Sequence, residues 1–376
     1  MGPLKLSLEE IESLRAGEIK ERLRELQVST RGIMEKGELV RLLFSLQPAI
    51  PQTCEIPMID VPFYDLPFPN LEEQGKTFIG IDLDFGGTST TSRFVVDSGA
   101  SMNLLKKDVA AKEGLDKVIT DANTIGMGGS GTIGASVCRV DLLTVLPTPQ
   151  SAAQRPSEVT KIRGLSFAIL DNAGALPARA QGLLGLTFLE RLPGIPTFDF
   201  AKKVLRFGGS SDPPPVKRFA VINTRKIFTG LLVCDIRLNG VDTYCEGMID
   251  LGSPYTILNT RAVEVVTRGA ITSLEQLPIS PQQVAGIDGR PVKLRVLTIP
   301  NGYMIGDFST TNEITLYAAD IAGLAAIGLP HSRPCCLLGL DILAGSRGGS
   351  RTGSLGFDLR NQKLFLEREG GGRGEA

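Results

Sequence analysis

The chain has 376 residues, with 40 Lys and Arg against 41 Asp and Glu, so its formal net charge is −1. This length suits two or three domains with buried cores, and the balanced charge excludes a general attraction to nucleic acid or to an acidic membrane. The 43 glycines, 23 prolines and lack of tryptophan favour turns and short strands over long helices. Six cysteines without a Cys-x-x-Cys spacing argue against a zinc site and a dense disulfide framework.

The N-terminal residues are charged and lack the apolar core of a signal peptide, and no run of 18 or more apolar residues occurs. We therefore expect an intracellular, soluble protein without a membrane segment. It would lie in the cytoplasm or, if a targeting segment has been removed, in an organelle such as the plastid.

Residues 1–47 differ from the rest because their apolar residues recur at helical spacing, with a break at 29–32. This pattern resembles the SAP-type helix-extended-helix motif, whose members often bind DNA or proteins. Residues 1–46 carry eight basic and eight acidic side chains, so they offer no positive excess for phosphate binding. We predict a small helical module that docks a protein partner, and the balanced charge argues against nucleic-acid binding.

The chain then repeats the same order of motifs twice. The first copy has Asp97, Gly185 and Asp199, and the second has Asp250, Gly339 and Asp358 at separations of 153, 154 and 159 residues. Ordered landmarks at a nearly constant offset predict a duplicated β-rich domain.

Proline-rich and glycine-rich breaks place the boundaries of these parts. We predict a helical SAP-like module, a Pro-rich linker, an N-terminal lobe, a C-terminal lobe and a disordered tail, over residues 1–47, 48–75, 76–212, 213–368 and 369–376.

The duplicated motif that carries chemistry is Asp-x-Gly. An apolar β-branched run delivers Asp97 into the turn Ser98-Gly99, and a second run delivers Asp250 into Leu251-Gly252. A single Asp-Ser-Gly is ordinary turn chemistry. Two homologous lobes about a pseudo-two-fold axis would bring the two carboxylates face to face. They would share one proton, so that one acts as a general base on water while the other polarises a carbonyl, with no metal or cofactor.

These residues resemble the aspartic protease superfamily, and specifically its retropepsin-like branch. The segment 96–101 is similar to the family's Asp-(Thr/Ser)-Gly-(Ala/Ser) signature, and the segments 183–186 and 337–340 are similar to its apolar-apolar-Gly motif. The resemblance covers roughly residues 76–368. It implies a mainly β, bilobal aspartic-protease-like fold, with two related β-barrel lobes around a pseudo-two-fold cleft, preceded by the small α-helical domain.

The same resemblance implies roles for individual residues. Asp97 and Asp250 would be catalytic, and four neighbours would brace their loops: Ser98, Gly99, Leu251 and Gly252. Two flaps would close over a peptide or protein substrate, the first containing Gly126, Met127, Gly128 and Gly129, and the second containing Ile287, Asp288 and Gly289.

Leu251 departs from the family pattern, which usually places Thr or Ser there so that the hydroxyls brace the two loops across the lobes. Leu at this position occurs in some plant-type retroelement proteases, so it does not by itself exclude activity. The sequence therefore leaves two alternatives, an aspartic endopeptidase and a catalytically inactive, protease-like binding or scaffold subunit.

Two other chemistries fit poorly. The one histidine, His331, lies in a His-Ser-Arg-Pro loop, which disfavours a serine triad. The glycine run 125–131 lacks the Gly-Lys-Ser/Thr ending of a phosphate-binding loop.

Overall fold

The computed structural model describes residues 14–25, 36, 57–67, 77–85, 91–115, 119–128, 131–147, 161–170, 176–177, 179–209, 213–285, 291–347 and 350–368. The chain divides into two compact units, residues 1–55 and residues 56–376. Within the described ranges, no helix combines the length and apolarity needed to cross a bilayer.

In the first unit the structure describes one helix, α1 (Ala16–Glu25). The Glu18 carboxylate accepts a hydrogen bond from the Arg15 backbone N–H at 2.6 Å, which satisfies a free amide at the start of the helix. Ile19 is fully buried. The remainder of the predicted SAP-like motif lies outside the described residues, so that assignment stays a prediction.

The first lobe of the second unit is built mainly from strands, as its glycine and proline content predicts, and they range from 3 residues in β8 to 15 in β6. Its described strands are β1 (Ile59–Pro67), β2 (Thr77–Asp84), β3 (Ser92–Val96), β4 (Asn103–Lys106), β5 (Ile119–Gly128), β6 (Gly131–Val145), β7 (Lys161–Leu170), β8 (Gly182–Leu184), β9 (Thr197–Asp199) and β10 (Val204–Phe207). Its described helices are α2 (Lys107–Lys112) and α3 (Leu186–Leu189).

Six of these strands close into a ring, in the order β2-β3-β8-β4-β7-β6 and back to β2. Strand β3 pairs in parallel with β8, and β8 pairs antiparallel with β4. The inward side chains fill the ring with apolar residues such as Phe94, Val96 and Phe167, all fully buried. The ring fixes the end of β3, where Asp97 follows.

The second lobe repeats this order of elements. Its described strands are β11 (Phe219–Asn223), β12 (Arg225–Lys226), β13 (Leu232–Leu238), β14 (Cys245–Ile249), β15 (Ile257–Leu258), β16 (Ile279–Ala285), β17 (Pro291–Ile299), β18 (Tyr303–Ile305), β19 (Phe308–Thr310), β20 (Ile314–Ala318), β21 (Cys335–Leu338), β22 (Ser346–Arg347), β23 (Ser350–Arg351), β24 (Ser354–Asp358) and β25 (Lys363–Glu367). Its helices in the described part are α4 (Thr260–Val266), a 3₁₀ turn (Leu274–Gln276), α5 (Ala322–Ala326) and α6 (Leu340–Leu343).

Strand β14 corresponds to β3, because it pairs in parallel with β21 while β21 pairs antiparallel with β15. The sheet runs β16-β17-β20-β15-β21-β14-β13-β18-β19. Over the described residues, no pairing closes it into a ring. Thus the strand that carries Asp250 has the same neighbours as the strand that carries Asp97, although the rest of its sheet is open.

The two lobes share one antiparallel sheet, in the order β11-β25-β24-β9-β10-β1. Phe198 of the first lobe and Phe357 of the second are fully buried in it, with ring centroids 6.0 Å apart and planes nearly perpendicular. Edge-to-face rings at this distance are mutually stabilising. This shared sheet joins the two lobes and so fixes the position of one Asp loop relative to the other. The predicted mainly β, bilobal, aspartic-protease-like fold is confirmed.

The predicted linker, residues 48–75, needs a correction in its described part. Residues 59–67 form β1, which pairs with β10 through residues 59–62 and with β2 through residues 63–67. Pro62 lies where β1 changes partner, and there the missing proline N–H interrupts neither ladder. Proline content alone therefore did not exclude a strand.

Candidate active site

Each Asp loop begins with an equivalent backbone hydrogen bond in its own lobe. The Asp97 N–H donates to the Leu184 carbonyl at 2.9 Å, and the Asp250 N–H donates to the Leu338 carbonyl at 3.0 Å. Each loop thus leaves its strand beside the apolar-Gly segment of its own lobe. The loops then turn tightly, because Gly99 N–H donates to Asp97 Oδ1 and Gly252 N–H donates to Asp250 Oδ1, both at 2.7 Å.

The two carboxyl groups lie face to face, each against the glycine of the opposite lobe. A Cβ added to Gly99 would lie 2.6 Å from the Asp250 carboxyl carbon, and one added to Gly252 would lie 2.4 Å from that of Asp97. No side chain fits at either position, since real Cβ contacts are longer. The loop glycines that the sequence singled out therefore let the opposite carboxyl approach.

The electrostatics of this pair are unusual. Burial raises the pKa of Asp97, against hydrogen bonds from Asp250 and from the loop amides that lower it. Burial raises the pKa of Asp250 well above its ordinary value, and the neighbouring Asp97 charge raises it further. Two carboxyl groups this close cannot both ionise cheaply, so the pair shares one proton.

Ser98 joins the two lobes beneath the carboxyl pair. Its buried hydroxyl donates to the Ile249 carbonyl and accepts from the Leu251 N–H, both at 3.0 Å. We call these two bonds the Ser98 brace. Leu251 is fully buried in the apolar core, and its side chain has no group that can make the reciprocal bonds. The brace therefore runs only from the first lobe to the second.

The apolar-Gly segments pack directly beneath the loops. A Cβ on Gly185 would lie 2.5 Å from the Ala100 carbonyl oxygen, and one on Gly339 would lie 2.3 Å from the Tyr255 carbonyl oxygen. The residue after each glycine also bonds the loop, because Leu186 N–H donates to the Ala100 carbonyl at 2.8 Å. The equivalent bond in the second lobe joins Leu340 and Ser253 at 2.9 Å.

Sequence reasoning missed the polar side chains that hold these glycines. Asn103 Oδ1 accepts from the Gly185 N–H at 3.0 Å, and Thr256 Oγ1 accepts from the Gly339 N–H at 3.1 Å. Thr256 in turn donates to Asp341 Oδ1 at 2.6 Å. The signal was available, since Asn103 and Thr256 both stand six residues after an Asp of the repeat.

The predicted flap residues are only partly described. Gly126, Met127 and Gly128 lie in β5, where they pair with β6 in an antiparallel hairpin. Helix α5 of the second lobe lies next to this hairpin. Gly129 and the second predicted flap, residues 287–289, lie outside the described residues. The flap roles therefore stay predictions.

The remaining residues considered from the sequence lie in ordinary structural settings. Asp199 accepts from the Lys202 N–H at 2.9 Å in a tight turn, and exposed His331 lies 3.6 Å from Asp320. The described part of the glycine run 125–131 forms paired strands and precedes no helix. Within the described part of the chain, no three His, Cys, Asp or Glu side chains are grouped as a metal ion would need.

Comparison with known proteins gives one family match. Residues 81–188, which include the Asp97 loop and the first apolar-Gly segment, match the family model described as aspartyl protease. No curated protein matches the sequence significantly. The similarity to this family is thus established for the first lobe.

Three solved structures resemble the chain remotely. They are basic 7S globulin from soybean, edgp, and conglutin gamma, a basic 7S globulin from lupine seeds, with TM-scores of 0.45, 0.46 and 0.42. Each is 13% identical, covering 83% of this chain and 95% of the other. At these values none of them bears on the function of this chain.

Proposed function

We propose that this protein is an aspartic endopeptidase that hydrolyses peptide bonds with a water held between Asp97 and Asp250. The observation that supports the proposal is the close carboxyl pair, in which each carboxyl lies against the glycine of the opposite lobe. A structural ion pair would place a cation beside the carboxylates. Here the close neighbour of each carboxyl is a second carboxyl, and the raised pKa of Asp250 suits acid–base chemistry.

In this mechanism ionised Asp97 accepts a proton from the water as it attacks the carbonyl carbon of the substrate. Protonated Asp250 donates a hydrogen bond to the carbonyl oxygen and stabilises the charge that develops there. Collapse of the tetrahedral intermediate needs a proton on the leaving nitrogen, which the pair supplies. The first carboxyl then returns to its ionised form.

The proposed substrate is a peptide or protein segment lying between the lobes beneath the β5–β6 hairpin. A cleft roofed by a hairpin suits an extended chain, because strand-like backbone offers hydrogen bonds on both edges. The docking of a protein partner through residues 1–47 is a separate proposal, which rests on the sequence pattern of those residues.

A second candidate function follows from Leu251. Because the Ser98 brace is not reciprocated, the Asp97 loop lacks a hydroxyl from the other lobe. This arrangement favours a protein that keeps the fold and the cleft as a peptide-binding or scaffold subunit without hydrolysis.

One experiment separates the two candidates. The protein is incubated with a mixed peptide library from acidic to neutral pH, with and without a transition-state inhibitor of aspartic proteases. We expect inhibitor-sensitive cleavage that Asp97→Asn abolishes. The matched control is Asp199→Asn, because the turn hydrogen bond to Asp199 can be made equally well by an amide oxygen.

Equal, null cleavage by the wild type and Asp97→Asn at every pH would refute the peptidase proposal. Wild-type protein that binds peptides from the same library without cutting them would support the scaffold function.

A further inference from the structure

The two Asp loops are not held equally. The Asp250 loop receives both bonds of the Ser98 brace from the first lobe. The Asp97 loop receives no such bond from the side chain of Leu251, which is a buried hydrocarbon. The brace restrains the Asp97 loop only through the Ser98 side chain, so the backbone of this loop depends more on hydrogen bonds within its own lobe.

Within the first lobe, Asn103 occupies a central place. It is fully buried, at the start of β4. Its Oδ1 accepts from the Gly185 N–H, and its Nδ2 donates to the Ser166 carbonyl of β7, both at 3.0 Å. The oxygen and the nitrogen of the Asn103 amide are thus bonded to the backbone at two places, the turn after β8 and strand β7.

Gly185 lies between two residues that bond the Asp97 loop. The Leu184 carbonyl accepts from the Asp97 N–H, and the Leu186 N–H donates to the Ala100 carbonyl. A side chain that fixes Gly185 therefore fixes the backbone that holds both ends of the loop.

We propose that Asn103 is a positioning residue for Asp97, and that it takes over the task that a hydroxyl at position 251 would otherwise share. This inference rests on the proposed peptidase function. It predicts that the loss of Asn103 has a larger effect than the loss of Thr256. Thr256 has the same relation to Gly339, but the backbone of its loop is also held by the Ser98 brace.

The unequal dependence distinguishes positioning from general stability. A residue that only stabilises the lobe would act independently of position 251. A residue that positions Asp97 in the absence of a cross-lobe hydroxyl should become less important when that hydroxyl is supplied.

The test compares Asn103→Ala with Thr256→Ala, each alone and combined with Leu251→Thr, by kcat, KM and the pH profile of cleavage. We expect Asn103→Ala to lower kcat by about 10- to 100-fold with little change in KM, since small displacements of a reacting group are costly. Thr256→Ala should lower kcat less. Leu251→Thr should restore most of the loss in Asn103→Ala and none in Thr256→Ala.

Asn259→Ala is the matched control. Asn259 is also fully buried. Its amide bonds the Ala262 N–H, the Arg333 carbonyl and both the N–H and the sulfur of Cys335, and in the described part of the chain it makes no side-chain hydrogen bond to residues 183–186 or 337–340. This variant should lower the melting temperature without changing the pH profile. Equal losses of kcat in Asn103→Ala and Thr256→Ala, or a folded double variant with no rescue, would overturn the inference.

A second arm covers the case in which Leu251→Thr does not fold. Removing the brace with Ser98→Ala should make the second lobe depend on Thr256, so Ser98→Ala and Thr256→Ala should be more than additive. Ser98→Ala and Asn103→Ala should be additive. The reverse pattern would contradict the proposal.

The dyad can also be titrated by carbon NMR of the Asp carboxyls, which separates this inference from the proposed function. We expect Asn103→Ala, and not Asn259→Ala, to move the pKa values of the pair toward ordinary values as the loop loosens. If the wild type cleaves nothing, the peptidase proposal fails while this titration still decides the role of Asn103. An unchanged titration would overturn it.

Discussion

The first and second lobes present their carboxyl groups through the same backbone bonds, yet they secure the supporting glycines with different side chains. In the first lobe the amide of Asn103 holds Gly185 directly. In the second lobe Thr256 holds Gly339 and is itself held by the Asp341 carboxylate through its hydroxyl and its N–H. The two lobes thus share the backbone geometry, where any change would displace a carboxyl, and differ in the side chains behind it.

The two lobes also differ in whether their sheet is closed. The first lobe closes six strands into a ring, whereas the described second-lobe strands form an open sheet, whose helix α5 lies beside the first-lobe hairpin. The more enclosed lobe is therefore the one whose Asp loop lacks a cross-lobe hydroxyl. Rigidity within a lobe and bracing between lobes are two routes to one requirement, which is a fixed distance between the carboxyls.

The largest expected effect tests whether the lobes contribute equally to the chemistry. Asp97→Asn and Asp250→Asn should each reduce kcat/KM by about 10³-fold or more, since each removes one partner of the acid–base pair. The double variant should be little worse than either single variant, because the pair acts as a unit. Steady-state cleavage of a library-derived peptide measures this. Additive losses would show that the lobes act separately.

The next effect concerns the glycines that separate the carboxyls. Gly252→Ala and Gly99→Ala would place a Cβ 2.4 Å and 2.6 Å from the opposite carboxyl carbon, so the lobes must move apart. We expect kcat to fall by about 10²-fold in each. Gly17→Ala is the control, because a Cβ at Gly17 meets nothing within 4 Å. Retention of full activity in either loop variant would contradict the face-to-face arrangement.

A third effect is on stability, and it has a defined sign with pH. The folded-state pKa of Asp250 lies well above 3.8, so the folded protein binds more protons than the unfolded chain between those values. The stability that Asp250 contributes is present below pH 3.8 and is lost as pH rises through the raised pKa. Asp250→Asn removes this loss.

We therefore expect Asp250→Asn to melt at a higher temperature than the wild type at neutral pH, and the two curves to converge under acid. Thermal denaturation across pH measures the difference. If Asp250→Asn is less stable than the wild type at neutral pH, ionisation of the Asp250 carboxyl does not lower the free energy of unfolding, and the prediction is wrong.

The Ser98 brace should be the next smaller contribution. Ser98→Ala leaves the Ile249 carbonyl and the Leu251 N–H without their partner, at a cost of about 1–3 kcal/mol in the free energy of unfolding. Denaturant titration measures it. Ser280→Ala is a suitable control, because among the described residues that hydroxyl bonds Gln282 of its own strand. Equal costs in both variants would argue that the brace adds nothing across the lobes.

The smallest effect should come from the exposed ion pair between the lobes. Lys226 of the second lobe pairs with Glu190, which follows α3 of the first. Screening by water limits such pairs to about 0–1 kcal/mol, so Lys226→Ala should scarcely change stability or cleavage. Arg261→Ala, which breaks an ion pair within α4, provides the comparison. A large loss in Lys226→Ala alone would mean that the lobes are joined mainly at their surface.

Several features followed from the sequence because they depend on local chemistry or on the repeat. The constant offset between Asp97 and Asp250 predicted two related β lobes, and Ser98 predicted one cross-lobe brace. The linker prediction failed for residues 59–67, because the pairing of β1 with β2 and β10 is long-range and a proline count does not detect it. Gly129 and residues 287–289 remain predictions.

The sequence by itself determined the repeated order of motifs, the two Asp-x-Gly segments and the absence of a hydroxyl at Leu251, since these are properties of residue order. Only the tertiary structure decided which groups hold those turns. Asn103 and Thr256 look like ordinary polar residues at the starts of strands, and their importance arises because folding brings Gly185 and Gly339, more than 80 residues away, to their side chains. The protonation of the Asp97–Asp250 pair is likewise a tertiary property. Burial raises the pKa of both carboxyls and the approach of Asp97 raises that of Asp250 further, and neither burial nor approach exists in the extended chain.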